Sequence, residues 1–444
     1  MGSHTCRNWN RNTRPACPDS CSVPEAQYYP ALQQAWQDQR QTAAISFTTV
    51  IFAQNIARSQ ACSKYDSRIF STDPAMAPPH RSRNLKKGDL VNLLKPAKPT
   101  LLSESTRVTA MAPKINSISW SPTGTLIATC TGPNIRVWNS ERPNVKSSIE
   151  LRNAHPKQPQ EGAPPARSGA SGETVERVAF APTMEGVLAS CGMDGTVRLF
   201  DVRAPGAATA MAGKGTPLAD CKVGGECAFL TWHPNGQEML VGRRDDVIHS
   251  VDLRWMPSIN DMPTFSMEAE KKLERDKNLV LYGMSFSNSG REVFAGTNDG
   301  SVLVLDYPSM SVLTTLSGHP GPCYTAAHSP IGAYVAVGSA DATISLWDTH
   351  NWISTHTLAT TSQQTSVRDL SFSFDGQYLI AGAGSDNKDG APGLNIYHVD
   401  LGEVVHTVET TSAPSQVAWH PNRYWMAYAG DPGGLKIVGS GSIP

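Results

Sequence analysis

Histidine and cysteine are the residues of this chain whose surroundings could carry chemistry. His233 and His420 each sit in the tetrapeptide Trp-His-Pro-Asn, 187 residues apart. An imidazole in a recurring setting could ligate zinc or act as a general base. Cys17 and Cys21, in Cys-Pro-Asp-Ser-Cys, could form half a metal site. No second Cys or His pair lies at finger spacing, so they read as an incidental pair. The sequence has no phosphate loop, H-E-x-x-H helix or G-x-S-x-G elbow. Its nearest glycine cluster, Gly382-Ala-Gly384, interrupts a hairpin and does not join a strand to a helix. The reading therefore assigns no catalytic residue, no metal ligand, no cofactor and no small-molecule substrate.

The elements around those histidines explain why they recur. Each tetrapeptide is one of seven copies of an aromatic-polar-turn signal. The copies begin at Trp120, Phe180, Trp232, Phe286, His328, Phe372 and Trp419, spaced 60, 52, 54, 42, 44 and 47 residues apart. An alternating apolar run precedes each, as in Ile115-Asn-Ser-Ile-Ser-Trp120, and a second strand follows, as in Tyr334-Val-Ala-Val337. Period-two alternation ending in a Pro/Asn/Gly turn is a strand entering a hairpin. A third strand then ends in an aromatic or apolar residue, often before Asp, as at Trp347-Asp348. Four repeats place an acid six residues ahead of that position: Asp194, Asp245, Asp299 and Asp341. A carboxylate in a tight turn accepts backbone N–H bonds, a structural reason for it to recur. Four strands, seven times over, predict an all-β fold: a seven-bladed WD-repeat β-propeller. On this reading His233 and His420 are solvent-facing turn residues.

The expected boundaries are a disordered extension over 1–84, a basic linker arm over 85–104, the propeller over 105–439 and a short tail over 440–444. The seventh repeat ends at its third strand, Leu435–Val438, so a strand from elsewhere must cover its edge. Ser105-Thr-Arg-Val-Thr-Ala110 is the expected closing strand. Strand parity puts the first-to-second turns and third-to-fourth turns on one face. Second-to-third loops and inter-blade connections share the other, with the long connections 152–173 and 384–393 and the run Arg243-Arg244-Asp245-Asp246. Arg243, Arg244 and Asp246 are accordingly the candidate partner-binding residues. The insertion 255–278 is expected at the rim.

Formal net charge is −1, which gives no global footprint for nucleic acid or an anionic membrane. The most apolar run near the N-terminus, Ala43–Ala53, has 11 residues, too few to span a bilayer. Nine irregularly spaced cysteines without an Asn-x-Ser/Thr sequon favour a reducing compartment. Residues 76–114 hold eight Lys/Arg against Asp89 and Glu104, so any direct RNA contact is expected there.

The last five repeats resemble the WD-repeat subunits of the THO complex. The stretches that carry this are Gly338–Asp348 (GSADATISLWD), Val367–Ala381 (VRDLSFSFDGQYLIA), Gln416–Ala429 (QVAWHPNRYWMAYA) and Leu305–Met310 (LDYPSM). The resemblance implies a nuclear, non-enzymatic scaffold of the THO/TREX assembly, which couples transcription to mRNA packaging and export. Its implied partners are large helical subunits and, indirectly, a DEAD-box ATPase, with RNA contact weak or indirect. The first repeat departs from the pattern, with Gly132-Pro133 in place of its turn Asp. A rival reading comes from Phe200-Asp201-Val202-Arg203 and Val251-Asp252-Leu253-Arg254. These approximate the W-D-x-R box of substrate receptors for cullin-type ubiquitin ligases, although both lack the Trp.

Overall fold

The computed structural model describes residues 87–94, 100–102, 114–141, 148–155, 174–203, 217–253, 265–266, 279–360, 365–384, 393–410, 414–429 and 434–439. Seven antiparallel four-stranded sheets follow one another along the chain. Within each of the first six, spatial order is chain order. The first strands touch their neighbours in a closed circle, with Ile115–Trp120 against Val175–Phe180 on one side and Gln416–Trp419 on the other. This is a seven-bladed β-propeller.

Burial is graded across each blade. All six residues of the second strand Val187–Gly192 are buried, and five of six in Tyr334–Ser339. The outermost strands Val312–Ser317 and Ser354–Ala359 each bury one residue. Second strands lie between neighbouring sheets and need apolar residues on both sides; outer strands face water on one side and tolerate Ser, Thr and His.

In each of the first six blades, pairing of the first two strands slips by one residue near the start of the first strand. The residue stepped over lies four before the repeat aromatic: Asn116, Glu176, Ala228, Tyr282, Tyr324 and Arg368. A bulge of this kind re-aims a side chain away from the ladder.

The ring closes earlier in the chain than the sequence suggests. Thr100–Leu102 pairs antiparallel with Leu435–Val438, placing Leu101 opposite Lys436. The partner strand is the expected one, whereas the expected closing segment Ser105–Ala110 lies outside the described residues. The helix Lys87–Leu94 just ahead explains the shift. Leu90 and Leu94 are buried with Tyr378, Leu394, Tyr424 and Met426, which anchors the chain at blades six and seven. Residues 85–104 are thus not simply a basic arm, because they supply a packed helix and the closing strand. Within the insertion 255–278, Phe265–Ser266 pairs with the third strand of blade three as its fourth strand. The 1–84 extension, the 440–444 tail and most of the connections 152–173 and 384–393 lie outside the described residues. Among the described residues no helix is long and apolar enough to cross a membrane.

Candidate interaction site

The repeated acids and aromatics form an internal framework. In blade five, Asp341 accepts from Thr343 N at 2.9 Å and Thr343 Oγ1 at 2.7 Å, and meets His319 Nδ1 at 2.9 Å. His319 Nε2 lies 2.7 Å from Ser345 Oγ, to which Trp347 Nε1 donates at 2.8 Å. Burial raises the Asp341 carboxyl, but the Thr343 and His319 donors outweigh it and hold it below the usual range. Asp348 accepts from His350 N at 2.7 Å and closes the next turn. In blade two, Asp194 meets His155 Nδ1 at 2.7 Å and pairs with Arg198 at 3.1 Å, and His155 Nε2 lies 2.8 Å from Ser190 Oγ. Burial lowers His155 against the pull of Asp194. In blade four, Asp299 accepts from Ser301 N at 3.0 Å and Ser301 Oγ at 2.6 Å.

Asp245 departs from this pattern. Its carboxylate pairs with Arg243 and is 53% exposed. Two residues after Asp194, Asp299 and Asp341 comes Thr196, Ser301 or Thr343, whereas Val247 follows Asp245 and offers no hydroxyl. A Ser or Thr at that offset is the sequence signal that separates the three turn acids from the fourth.

The Trp-His-Pro-Asn histidines lie in turns, as expected, but not in solvent. His420 is 2% exposed. Its Nδ1 accepts from Asn422 N at 3.0 Å, and its Nε2 meets the backbone of Gly124 in blade one. His233 repeats this, with Asn235 N donating to Nδ1 at 3.1 Å and Nε2 at 3.1 Å from Gly290 O of blade four. Each ring presses so closely on a turn glycine of the next blade that a side chain there would collide. Trp232 and Trp120 reach the other way, donating to Ala179 O at 3.0 Å and Ala418 O at 3.2 Å in the preceding blade. The first tetrapeptide therefore staples blade three to both neighbours, whereas in the second only His420 reaches across, since Trp419 Nε1 has no hydrogen-bond partner among the described residues. Both ring nitrogens of each imidazole face backbone partners, which leaves neither directed at a metal. Burial, then nearby Arg423, lowers His420 to about 4.

All three candidate contact residues already have partners within the propeller. Arg243 donates to Val223 O at 3.2 Å and to Asp245. Asp246 accepts from Leu281 N of blade four at 2.9 Å. Arg244 is 53% exposed and lies 3.5 Å from Glu176 and 3.4 Å from Glu226. Arg244 and Asp246 are both exposed, whereas Arg243 is partly buried.

Two other features stand out on the propeller. The turn face of blades four to six exposes Val312, Leu313, Ile331, Ile353, Leu401 and Val404, six of the ten exposed large hydrophobic residues in the described part. The central channel encloses about 610 Å³ and is lined by the first strands, with Arg177, Arg368 and Asp369 as its charged residues. Asp369 Oδ2 accepts from Val417 N at 2.9 Å, joining blades six and seven. It keeps some surface toward the channel but lies deep enough that burial raises its carboxyl to about 6. Among the described residues, no group of three or more His, Cys, Asp or Glu side chains could hold a metal ion.

Four stretches, 105–139, 167–201, 310–348 and 353–388, match the family "WD domain, G-beta repeat". The β-propeller domain of Cps50 (Swd1) from Myceliophteria thermophila superposes with a TM-score of 0.57, covering 76% of this chain and 99% of that domain at 16% identity. That likeness is one of fold. WD repeat-containing protein AAC3 of Dictyostelium discoideum is 26% identical, over 71% of this chain and 61% of its own. THO complex subunit 3 of Arabidopsis thaliana is 30% identical, over 72% of this chain and 87% of its own length. Identity at that level across nearly the whole relative, on a propeller whose seven repeats are all present, makes this chain a member of the THO complex subunit 3 family of WD-repeat proteins.

Proposed function

We propose that this protein is a non-enzymatic, nuclear scaffold of the THO complex, which links transcription to mRNA packaging and export through protein contacts. The observation that carries this reading is the apolar arc on the turn face of blades four to six. Exposed apolar residues concentrated on one side of a domain mark a protein-interaction surface. Large helical THO subunits are the partners assigned to it on this reading, with the DEAD-box ATPase reached through them. Arg244, on the opposite face, is at most a peripheral charged contact. RNA contact is weak or indirect, because phosphate binding needs clustered Lys/Arg and the channel offers two arginines beside a carboxylate.

Affinity purification of Leu313→Asp and Ile353→Asp variants tests the assignment. Co-purification of the large THO subunits should fall about tenfold or more, while Arg244→Ala stays near wild type. The cullin-receptor alternative predicts instead that a cullin adaptor is recovered and lost in Arg203→Ala. Arg203 Nε sits 3.2 Å from its own Asp201, and the side chain lies over Gly186. Recovery of an adaptor without THO subunits would replace the scaffold reading.

A further inference from the structure

The channel mouth on the face of the inter-blade connections holds a group of residues that the scaffold reading does not use. There the bulges of blades four, five and six set Tyr282, Tyr324 and Arg368 side by side. Tyr282 and Tyr324 meet edge to face at 5.0 Å, and the Arg368 guanidinium stands 4.0 Å over the Tyr324 ring. Tyr282 is 38% exposed. Arg368 Nε donates to Ser366 Oγ at 3.1 Å, and among the described residues its Nη groups make no hydrogen bond. Arg177, also lining the channel, donates from Nη1 to Gln416 Oε1 at 3.1 Å.

Neither arginine has a carboxylate within ion-pair distance among the described residues. The obvious candidate, Asp369, is taken up elsewhere, with one oxygen accepting from Val417 N and the other from Leu370 N at 3.0 Å. Two guanidinium groups therefore line one channel beside a partly exposed aromatic pair. A guanidinium presents parallel N–H donors that match a carboxylate, and the aromatic surface suits an apolar stem or a backbone passing over it. The channel volume, about 610 Å³, is that of a site for a small group.

We propose that this mouth is a second binding site, which takes a single carboxylate side chain from an extended, otherwise uncharged segment of a protein partner. The local charge favours one isolated carboxylate over RNA. Glu176 and Glu226 sit on the same face around Arg244, and Asp369 lies below. A polyphosphate chain would meet those carboxylates along its length, whereas a single inserted side chain meets mainly the arginines. The site is independent of the turn-face arc, so it can be read without any other THO subunit.

The test uses the full chain and three fluorescein-labelled probes: a short Ser-Ala peptide with one central Glu, its counterpart with Gln in that place, and oligouridylate. Fluorescence anisotropy at low salt should show the Glu peptide bound about tenfold or more tighter than the Gln peptide. Arg177→Gln and Arg368→Gln should each weaken it about tenfold, and Arg368→Lys, which keeps charge but loses the fork, should fall between. If Arg177→Gln fails to fold for want of its bond to Gln416, the Arg368 pair still decides. Equal binding of Glu and Gln peptides, no loss in Arg368→Gln, or displacement of the peptide by tighter-binding oligouridylate would overturn the proposal. Loss of THO subunits in the turn-face variants with peptide binding intact would concern the scaffold surface alone.

Discussion

Blade five and blade three share a plan but hold themselves together differently. In both, an acid stands six residues before the last apolar residue of the third strand: Asp341 before Trp347, and Asp245 before Val251. In blade five that acid gathers Thr343 and His319, and His319 passes the bond through Ser345 to Trp347. Blade three has Val247 where Thr343 stands, His249 in place of Ser345 and Val251 in place of Trp347. His249 is buried, and among the described residues neither ring nitrogen has a hydrogen-bond partner. Asp245 turns outward to Arg243. A recurring acid does a recurring job only where its donors recur with it.

The largest test of that contrast is removal of the aromatic that ends the blade-five relay. Trp347 is 8% exposed and packs with Phe294, Val304 and Leu316 of blade four, so Trp347→Ala should cost roughly 3–5 kcal/mol. Denaturant titration measures it. A cost no greater than that of Val251→Ala would mean the relay confers no special stability. Asp341→Asn should come next, at roughly 1–3 kcal/mol, because the partly buried Thr343 and His319 donors lose a charged acceptor.

Acid should undo the two blades in sequence. His249 is held neutral, its pKa lowered first by burial and then by Arg243. For a base lowered on folding, stability is full above the unfolded value and is lost as pH falls from there toward the folded value. Asp341 is lowered by its donors, so its contribution persists above the usual carboxylate range and is lost only as pH falls through it. Melting curves should therefore decline from about pH 6.5 downward, near the ordinary histidine value. His249→Phe should flatten the upper part of that decline, and Asp341→Asn the part below about pH 4. His420 contributes to the same decline, since its pKa is lowered to about 4. Asp369 works against it. With its carboxyl raised to about 6, its stabilising protonated form is lost as pH rises, so Asp369→Asn should steepen the acid decline between about pH 6 and 4. An unchanged profile in His249→Phe would mean that this residue is already paired.

The fold could be read from the chain because turn chemistry repeats. Two or three of aromatic, Pro and Gly at fixed offsets mark most first strands, and the spacing of the copies marks the rest, whether or not the Trp-Asp dipeptide survives. The closing strand was misplaced because Thr100-Leu-Leu is too short to show a period, and a β-branched run lies just after it at Ser105–Ala110. The burial of His420 and the half-burial of His233 are illegible in the sequence for a different reason: a turn looks exposed until a neighbouring blade is stacked on it, and the blade that covers His420 is some 300 residues distant, as Asn422 to Pro122 shows. Tyr282, Tyr324 and Arg368 carry a signal, their offset of four from the repeat aromatic, but a single residue near the start of a strand has no weight until the bulge is seen.

The smallest test asks whether a missing hydroxyl is what separates the two acids. Asp245→Asn alone should stay within about 0.5 kcal/mol, as for an exposed ion pair. Val247→Thr places a hydroxyl two residues after Asp245, where Thr343 stands relative to Asp341. If the donor is what draws the acid inward, Asp245→Asn should cost more in the Val247→Thr background than in the wild type. A double-mutant cycle should then give a coupling of roughly 0.5–1 kcal/mol, typical of side chains in direct contact. Arg243 competes for the same carboxylate, so the coupling should grow when Arg243→Met removes that hold. A coupling near zero in both backgrounds would place the difference in the backbone of the turn. Asp246 there takes a φ of 63°, and the equivalent positions are Gly195, Gly300 and Ala342. Its carboxylate is already committed to Leu281 N of the next blade, which would fix the turn whatever stands at 247.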